Sequence, residues 1–402
     1  MRLSLRRLNR ATLARQLLLE RHPLPVTDAV RRLVALQAQE PASPYLALWN
    51  RLRGFRPDDL ADAFRDYAVV KAPLMRITLH AVAAEDRAEF HRAMTPTLRA
   101  AGLNDRRFRD SGLSDADADA LVPHLLAFAV RPRRRAEIEA ALTEHLGREQ
   151  PPGVWRALRS VAPLVHAASD EPWSFGRTPV FVAAPDAHEA ASSPRGDAVD
   201  AAATGGEPRE AAAPDDATAA AARLAWRYLA AFGPATKQDF AQFALLRQSE
   251  VGPAFAVLAG RLVVREGPGG ARLYDVPDAP LPEDDAPAPP RLLGMWDNVL
   301  LAYKDRARVI PPAYRPRVIR RNGDVLPTVL VDGHVAGVWR AVDGAVEVTA
   351  FEKLSDDAWD GIEREARGLL ALIAGRDDAV YGRYGHWWSR IEGARVRVVG
   401  RA

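Results

Sequence analysis

Between Arg223 and Tyr274 the apolar pattern changes period in a way that few folds can absorb: three short stretches at helical spacing are followed by two short extended runs. Arg223 to Phe232 is expected as a helix ended by Gly233-Pro234. Thr236 caps a second helix from Lys237 to Leu246, and Ser249 caps a third from Glu250 to Leu258. Leu262 to Arg265 and Ala271 to Tyr274 then form two strands joined through Gly267-Pro268-Gly269-Gly270, where glycine tolerates the positive φ of a tight tip. Three helices and a β-wing in about 55 residues are the pattern of a winged helix-turn-helix, whose third helix ordinarily enters a DNA groove. Here that helix offers only Arg261, just past its end, as a base reader, so ordinary sequence reading is not expected of it.

The chain upstream repeats the succession. Ala11 to Glu20, Thr27 to Ala38 with Thr27 as N-cap, Pro44 to Leu52, and Pro57 to Phe64 with Asp58 and Asp59 in its first turn are expected helices. Tyr67 to Val82 then turns extended. Strict alternation in Met75-Arg76-Ile77-Thr78-Leu79-His80 predicts a strand with Arg76, Thr78 and His80 on one face and Ile77 and Leu79 toward the core. An ordinary solvated strand face explains that row equally well. Asp110 to Val130 is helical again, and Arg131-Pro132-Arg133-Arg134-Arg135 opens a second unit, serving equally as a solvated helix start or a nucleic-acid patch. Ala136 to Leu146 ends at Gly147, a further helix runs from Val154 to about Ala162, and Leu164 to Val182 holds a hairpin turning near Asp170-Glu171-Pro172.

Pro185 to Ala222 is dominated by Ala, Asp, Glu, Gly, Pro and Ser and is expected as a disordered acidic insertion. Beyond the Pro277 to Pro290 linker come strands at Val325 to Leu330, Val335 to Arg340 and Val346 to Phe351, a helix from Ser355 to Ala374, and a last extended run, Arg395 to Val399. Tyr381, Tyr384, Trp387 and Trp388 read as core. The fold class is therefore α+β, mainly α, in five parts: 1–110, 111–184, the insertion 185–222, 223–277 and a β-rich 291–402.

Composition narrows the chemistry. With 402 residues, 48% apolar and 27% charged, the chain is that of a folded multidomain protein. The absence of cysteine excludes disulfides, thiolate metal ligation and a cysteine nucleophile, and fits a cytoplasmic, uncleaved protein. No His pair at helical spacing with an intervening Glu, no phosphate-binding loop with its lysine, no strand-led dinucleotide fingerprint and no serine-hydrolase motif appear, so neither metal nor cofactor is expected. Net charge is only +3, but with the acidic insertion set aside the remainder is more basic, which permits binding to a phosphate backbone.

Leu36-Gln37-Ala38-Gln39-Glu40-Pro41 stands out because two primary amides flank one small apolar residue where Pro41 stops the preceding helix. An amide offers donors and acceptors without charge, so it can orient water or grip a base edge without being a strong base. By spacing alone, two surface or capping glutamines are the more ordinary reading.

Four segments in order, this one, Met75 to His80, Leu293-Gly294-Met295-Trp296-Asp297-Asn298-Val299-Leu300-Leu301-Ala302-Tyr303-Lys304-Asp305-Arg306, and Val331-Asp332-Gly333-His334-Val335-Ala336-Gly337-Val338-Trp339, resemble successive motifs of the winged-helix DNA glycosylases of the AlkZ type. The resemblance implies three tandem winged helices around a basic, DNA-sized channel, with Gln37 and Gln39 as catalytic residues in the Gln-apolar-Gln form. It further implies a β-hairpin that probes DNA, whose tip is expected at Asp332, Gly333 and His334, and flanking DNA contacts from Arg76, Thr78 and His80. The implied partner is double-stranded DNA carrying alkylated purines, bulky adducts or interstrand crosslinks, handled by a monomer with no membrane association, in repair or in self-resistance to an alkylating natural product. The rival is a non-enzymatic winged-helix DNA-binding protein or regulator, for which the glutamines would be irrelevant.

Overall fold

The structure, a computed structural model, describes residues 2–186 and 215–400. Helix α1, Leu5–Arg15, begins earlier than its apolar pattern suggests, because the Ser4 hydroxyl caps it by accepting the Arg7 N–H at 2.9 Å. Helix α2, Val26–Leu33, follows Pro25 with no side-chain cap, so Thr27 lies inside the helix. It ends five residues before Ala38: Val34 adopts φ +71°, and the chain enters a short strand, β1, Leu36–Gln37. Gln37 is therefore in a strand and Gln39 in the bend after it, and neither frays from a helix end. Leu36 and Ala38 go to the core, and the Ala38 N–H donates to the Leu79 carbonyl at 2.8 Å. Helices α3, Ser43–Arg51, and α4, Pro57–Arg65, stand as predicted.

After β2, Val69–Pro73, the predicted strand from Met75 is replaced by a one-turn 3-10 segment, Met75–Ile77, in which Arg76 and Ile77 both have φ near +55°. Strand β3, Leu79–Ala83, starts only afterwards. Alternation cannot report such a kink, since positive φ at a β-branched residue is rare and is imposed from outside the segment. Ile77 is exposed, contrary to its expected core position.

The 20-residue helix α5, Ala84–Leu103, packs against two other helices, so its apolar residues occupy more than one face and leave little amphipathic signal. A short helix α6, Arg106–Arg109, leads to α7, Asp115–Phe128, which opens with a Ser114–Asp117 capping box. The two-residue β4, Arg133–Arg134, then runs into α8, Arg135–Leu146, which closes on Gly147 in the left-handed region, as expected. Helix α9, Pro152–Val161, and strands β5, Leu164–His166, and β6, Val180–Ala183, complete this part. The strands of 1–110 and 111–184 form one antiparallel sheet in the order β1-β3-β2-β5-β6-β4, joined by the Lys71 and His166 pair.

Residues 187–214, most of the expected insertion, lie outside the described residues. Its last part is ordered: α10, Asp216–Phe232, is capped by Asp215 and buries Ala220, Ala221 and Ala222. Alanines in place of larger residues let this helix approach its neighbours closely. Helix α11, Lys237–Ala244, starts on a Thr236–Asp239 capping box. Helix α12, Gln248–Val257, starts two residues early on Arg247 and Glu250, and β7, Val263–Glu266, pairs with β8, Arg272–Asp275.

The C-terminal part is a second antiparallel sheet, β13-β12-β11-β10-β9, formed by β9, Arg291–Leu293, β10, Thr328–Val331, β11, His334–Val342, β12, Ala345–Ala350, and β13, Arg395–Val399. A short helix α13, Arg315–Val318, lies between β9 and β10, and α14, Asp356–Ile373, covers the sheet after a Ser355 cap. Tyr381 and Tyr384 are core, while Trp387 and Trp388 are partly buried against it. One core cluster joins α2 to α4 with this sheet, and another joins α5 with α10 to α12.

The turn expected as a DNA-probing tip is docked instead. Asp332 is held by Arg6 and Arg10 of α1, and the Asn9 amide donates to the Gly333 carbonyl at 2.8 Å. A side chain at Gly333, which has φ +78°, would meet Asn9 Oδ1 at 2.5 Å, so glycine is required both for the turn and for its closeness to α1. His334 folds back on the Asp332 carbonyl, and burial lowers its pKa. In the next turn, between β11 and β12, both Asp343 and Gly344 are exposed, whereas Gly333 is buried.

Candidate active site

Strand β1 is the edge of the six-stranded sheet, and its register sets Gln37 opposite His80. A strand alternates its faces, so Gln37 points to the side away from Leu36, while Gln39 lies in the bend that follows β1. Gln37 is buried, whereas Gln39 is exposed. From the kink before β3, Arg76 spans the gap: its Nη2 donates to Gln37 Oε1 at 2.9 Å and to Asn298 Oδ1 at 2.8 Å, and faces His80 Nε2 at 3.1 Å. Its Nη1 donates to the Phe243 carbonyl at 3.0 Å. From this positive-φ kink the guanidinium reaches the Gln37 amide on β1.

His80 is fully buried, and its Nδ1 lies 3.0 Å from the Thr78 carbonyl, which can only accept. Nδ1 therefore carries the hydrogen, and Nε2 is a bare acceptor facing Arg76 Nη2, whose two hydrogens it shares with Gln37 Oε1 and Asn298 Oδ1. Burial first, and the Arg76 charge second, hold the His80 pKa well below the ordinary value, so the imidazole is neutral. It has no cation to offer a phosphate and no free nitrogen to act as a base. Thr78 spends its hydroxyl on the Met75 carbonyl at 3.1 Å. Of the three residues expected on one strand face, only Arg76 and His80 gather at Gln37, neither has a bond to Gln39, and only Arg76 brings charge. Burial lowers the Arg76 pKa to about 10, helped by the nearby Arg306 charge, which still leaves it cationic at neutral pH.

Asn298 was not singled out as a site residue, although it lies in the quoted Leu293 to Arg306 segment. Its amide donates to the Ala35 carbonyl at 2.7 Å while its carbonyl receives Arg76, so it ties the segment after β9 to the residue before β1. Its neighbour Asp297 forms a buried two-point ion pair with Arg51, both contacts at 2.8 Å. Between them and Gln37 is a cavity of about 10 Å³, also lined by Gln16, with room for about one water. Asp332, Gly333 and His334 belong to the α1 contact and take no part in this cluster. Among the described residues no group of three or more His, Cys, Asp or Glu could hold a metal ion, and no helix is long and apolar enough to cross a membrane.

On the opposite face of the sheet, Lys71 stands level with Ala81 and Leu36. It is buried with its Nζ 4.3 Å from the Phe175 ring centre, and burial lowers its pKa to about 7.

The whole arrangement of helices and two sheets has a counterpart among solved structures. The fold matches Streptomyces sahachiroi DNA glycosylase AlkZ with a TM-score of 0.73 and 22% identity, covering 92% of this chain and 97% of that one. A curated relative, the interstrand DNA cross-link repair glycosylase of Streptomyces sahachiroi, is 32% identical over 145 residues, a stretch covering 35% of this chain and 39% of that relative. The family model for DNA glycosylase AlkZ-like proteins matches residues 30–372, which include both glutamines, Arg76, His80 and Asn298. The chain belongs to the AlkZ-like DNA glycosylase family.

Proposed function

We propose that this protein is a monofunctional glycosylase that hydrolyses the N-glycosidic bond of N7-alkylated purines in duplex DNA, bulky adducts and interstrand crosslinks included. The observation that carries the reading is the Gln37 amide, gripped by a guanidinium beside a neutral imidazole, with the exposed Gln39 two residues on. An N7-alkylated purine is already cationic and leaves without protonation, so no acid is needed. The transition state is oxocarbenium-like and needs a placed water and little else. Gln37 Oε1 has two lone pairs; Arg76 takes one, and the other accepts a hydrogen of the attacking water. The fixed carbonyl also fixes where the Nε2 hydrogens point, toward sugar or water oxygen. Gln39, free of partners among the described residues, assists the water or holds the DNA backbone.

In this reading the three helix-and-strand units are winged helices around a DNA-sized channel, and the chain acts as a monomer in repair or in self-resistance to an alkylating natural product. The exposed Asp343 and Gly344 turn replaces the docked Asp332 to His334 turn as the hairpin that approaches DNA. The regulator alternative is weakened by α12, which carries Glu250 and no basic residue along its length. Single-turnover base release from duplexes carrying N7-methylguanine, a bulky N7 adduct or a crosslink tests the proposal. Gln37→Ala and Gln39→Ala are expected to lose release at saturating protein while retaining DNA binding. Binding without release from any of the three substrates by the unaltered protein would overturn it.

A further inference from the structure

The Gln39 side chain has no partner among the described residues, yet the chain on either side of it is fixed. Before it, the Ala38 N–H donates to the Leu79 carbonyl at 2.8 Å. After it, the Glu40 carboxylate is largely buried, and its Oε1 accepts the Tyr384 hydroxyl at 3.0 Å and the Arg383 guanidinium. Both donors belong to the 3-10 segment Gly382–Arg390, at the far end of the sequence. Tyr384 is fixed in turn. Its ring meets Trp296 edge-to-face with centres 5.5 Å apart, and the Trp296 indole N–H donates to the Gly323 carbonyl at 2.9 Å. Trp296 holds φ +55°, a conformation that an aromatic residue keeps only where its surroundings impose it.

Trp296 lies two residues before Asn298, so one short segment after β9 reaches both glutamines by separate routes. Asn298 receives Arg76, which grips Gln37; Trp296 backs Tyr384, which grips the residue after Gln39. The Ser43 hydroxyl, donating to the Met295 carbonyl at 3.1 Å, ties the same segment to the start of α3. We infer that Glu40, Tyr384 and Trp296 are positioning residues for Gln39, the counterpart of Arg76 and Asn298 for Gln37, so that the segment from Trp296 to Asn298 sets the spacing of the two amides. This rests on the glycosylase reading and adds a brace to it. Two amides that serve one water and one sugar must keep their mutual placement, and an exposed glutamine has no restraint except the backbone that carries it. A carboxylate suits the brace because its bonds to the phenol and the guanidinium are charge-assisted. Its charge is offset by Arg383, so it does not repel a phosphate backbone.

The chain has no cysteine, so Gln39→Cys carrying a nitroxide reports the mobility of this bend by electron paramagnetic resonance, with no turnover needed. Adding Glu40→Ala should sharpen its spectrum toward fast motion. Tyr384→Phe should do so less, because Arg383 remains, and a nitroxide at the exposed Val130→Cys should not respond. In the unlabelled protein with Gln39 intact, Glu40→Ala should lower single-turnover release of N7-methylguanine about 10-fold at saturating protein, with DNA affinity within about twofold of wild type. Glu40→Gln keeps an acceptor for Tyr384 and should regain most of that rate. A label unmoved by Glu40→Ala overturns the brace; so does unchanged release beside a freed label, or no recovery with Glu40→Gln. A freed label in a protein whose unaltered form releases no base would retain the brace and sink the glycosylase reading, so the two fail separately.

Discussion

Replacing Lys71 by methionine should stabilise the protein, by an amount that depends on pH in a calculable way. The amine is buried against Phe175 on the face of the six-stranded sheet opposite Gln37, and burial lowers its pKa from 10.5 to about 7. Because the folded-state value is the lower one, the unfolded chain binds the proton more tightly. The penalty on folding is complete below pH 7, shrinks as pH rises from 7 to 10.5, and is gone above that. At about 1.4 kcal/mol per unit, the full penalty is of order 5 kcal/mol. Methionine fills a similar volume without charge, so Lys71→Met should exceed wild type in unfolding free energy by about 4 kcal/mol at pH 7, about 3 at pH 8 and about 1 at pH 9.5. Urea unfolding of both proteins at the three values measures this. Base release should be unchanged, because the sheet separates Lys71 from Gln37. A difference independent of pH, or a variant less stable at pH 7, would refute the assignment of a burdened amine at this position.

Asn298→Ala removes the carbonyl that helps hold Arg76 and the amide that ties Ala35. We expect a 10- to 100-fold drop in single-turnover base release with DNA affinity within roughly threefold of wild type, whereas equal losses in both would mark it as merely structural. Since His80 is neutral well above its lowered pKa, base release should show no titration of this group between pH 6 and 8; a break there that His80→Gln removes would contradict its burial as a neutral imidazole. Breaking the buried Arg51 and Asp297 pair with Arg51→Met leaves an unpaired carboxylate in the core and should cost about 3–5 kcal/mol in thermal or urea unfolding, against a null result if the site relaxes to admit water.

Much of the fold is written locally. Capping residues at Thr236 and Ser355, the glycine stop at Gly147, the glycine tip at 267–270 and the period of the C-terminal strands all appear in the structure close to where short-range chemistry puts them. The order of the motifs identified the family, whereas the helix end expected before Gln37 and Gln39 is a strand that buries Gln37. Where sequence reasoning went astray, the decisive interaction lay far away along the chain. Nothing near Val34 or Arg76 announces a positive φ. Those conformations are held by pairing of β1 with β3 and by acceptors on Phe243 and Asn298, 167 and 222 residues from Arg76. The alternation of Met75 to His80 was real as a pattern but was overridden by that kink, and His80 became a buried acceptor with no route to a phosphate. The docking of Asp332 on α1 depends likewise on Arg6 and Arg10, more than 320 residues upstream. Local sequence determined which elements form and which amides are presented; only tertiary packing decided their partners, because desolvation and charge pairing are set by whatever the fold brings within a few ångströms.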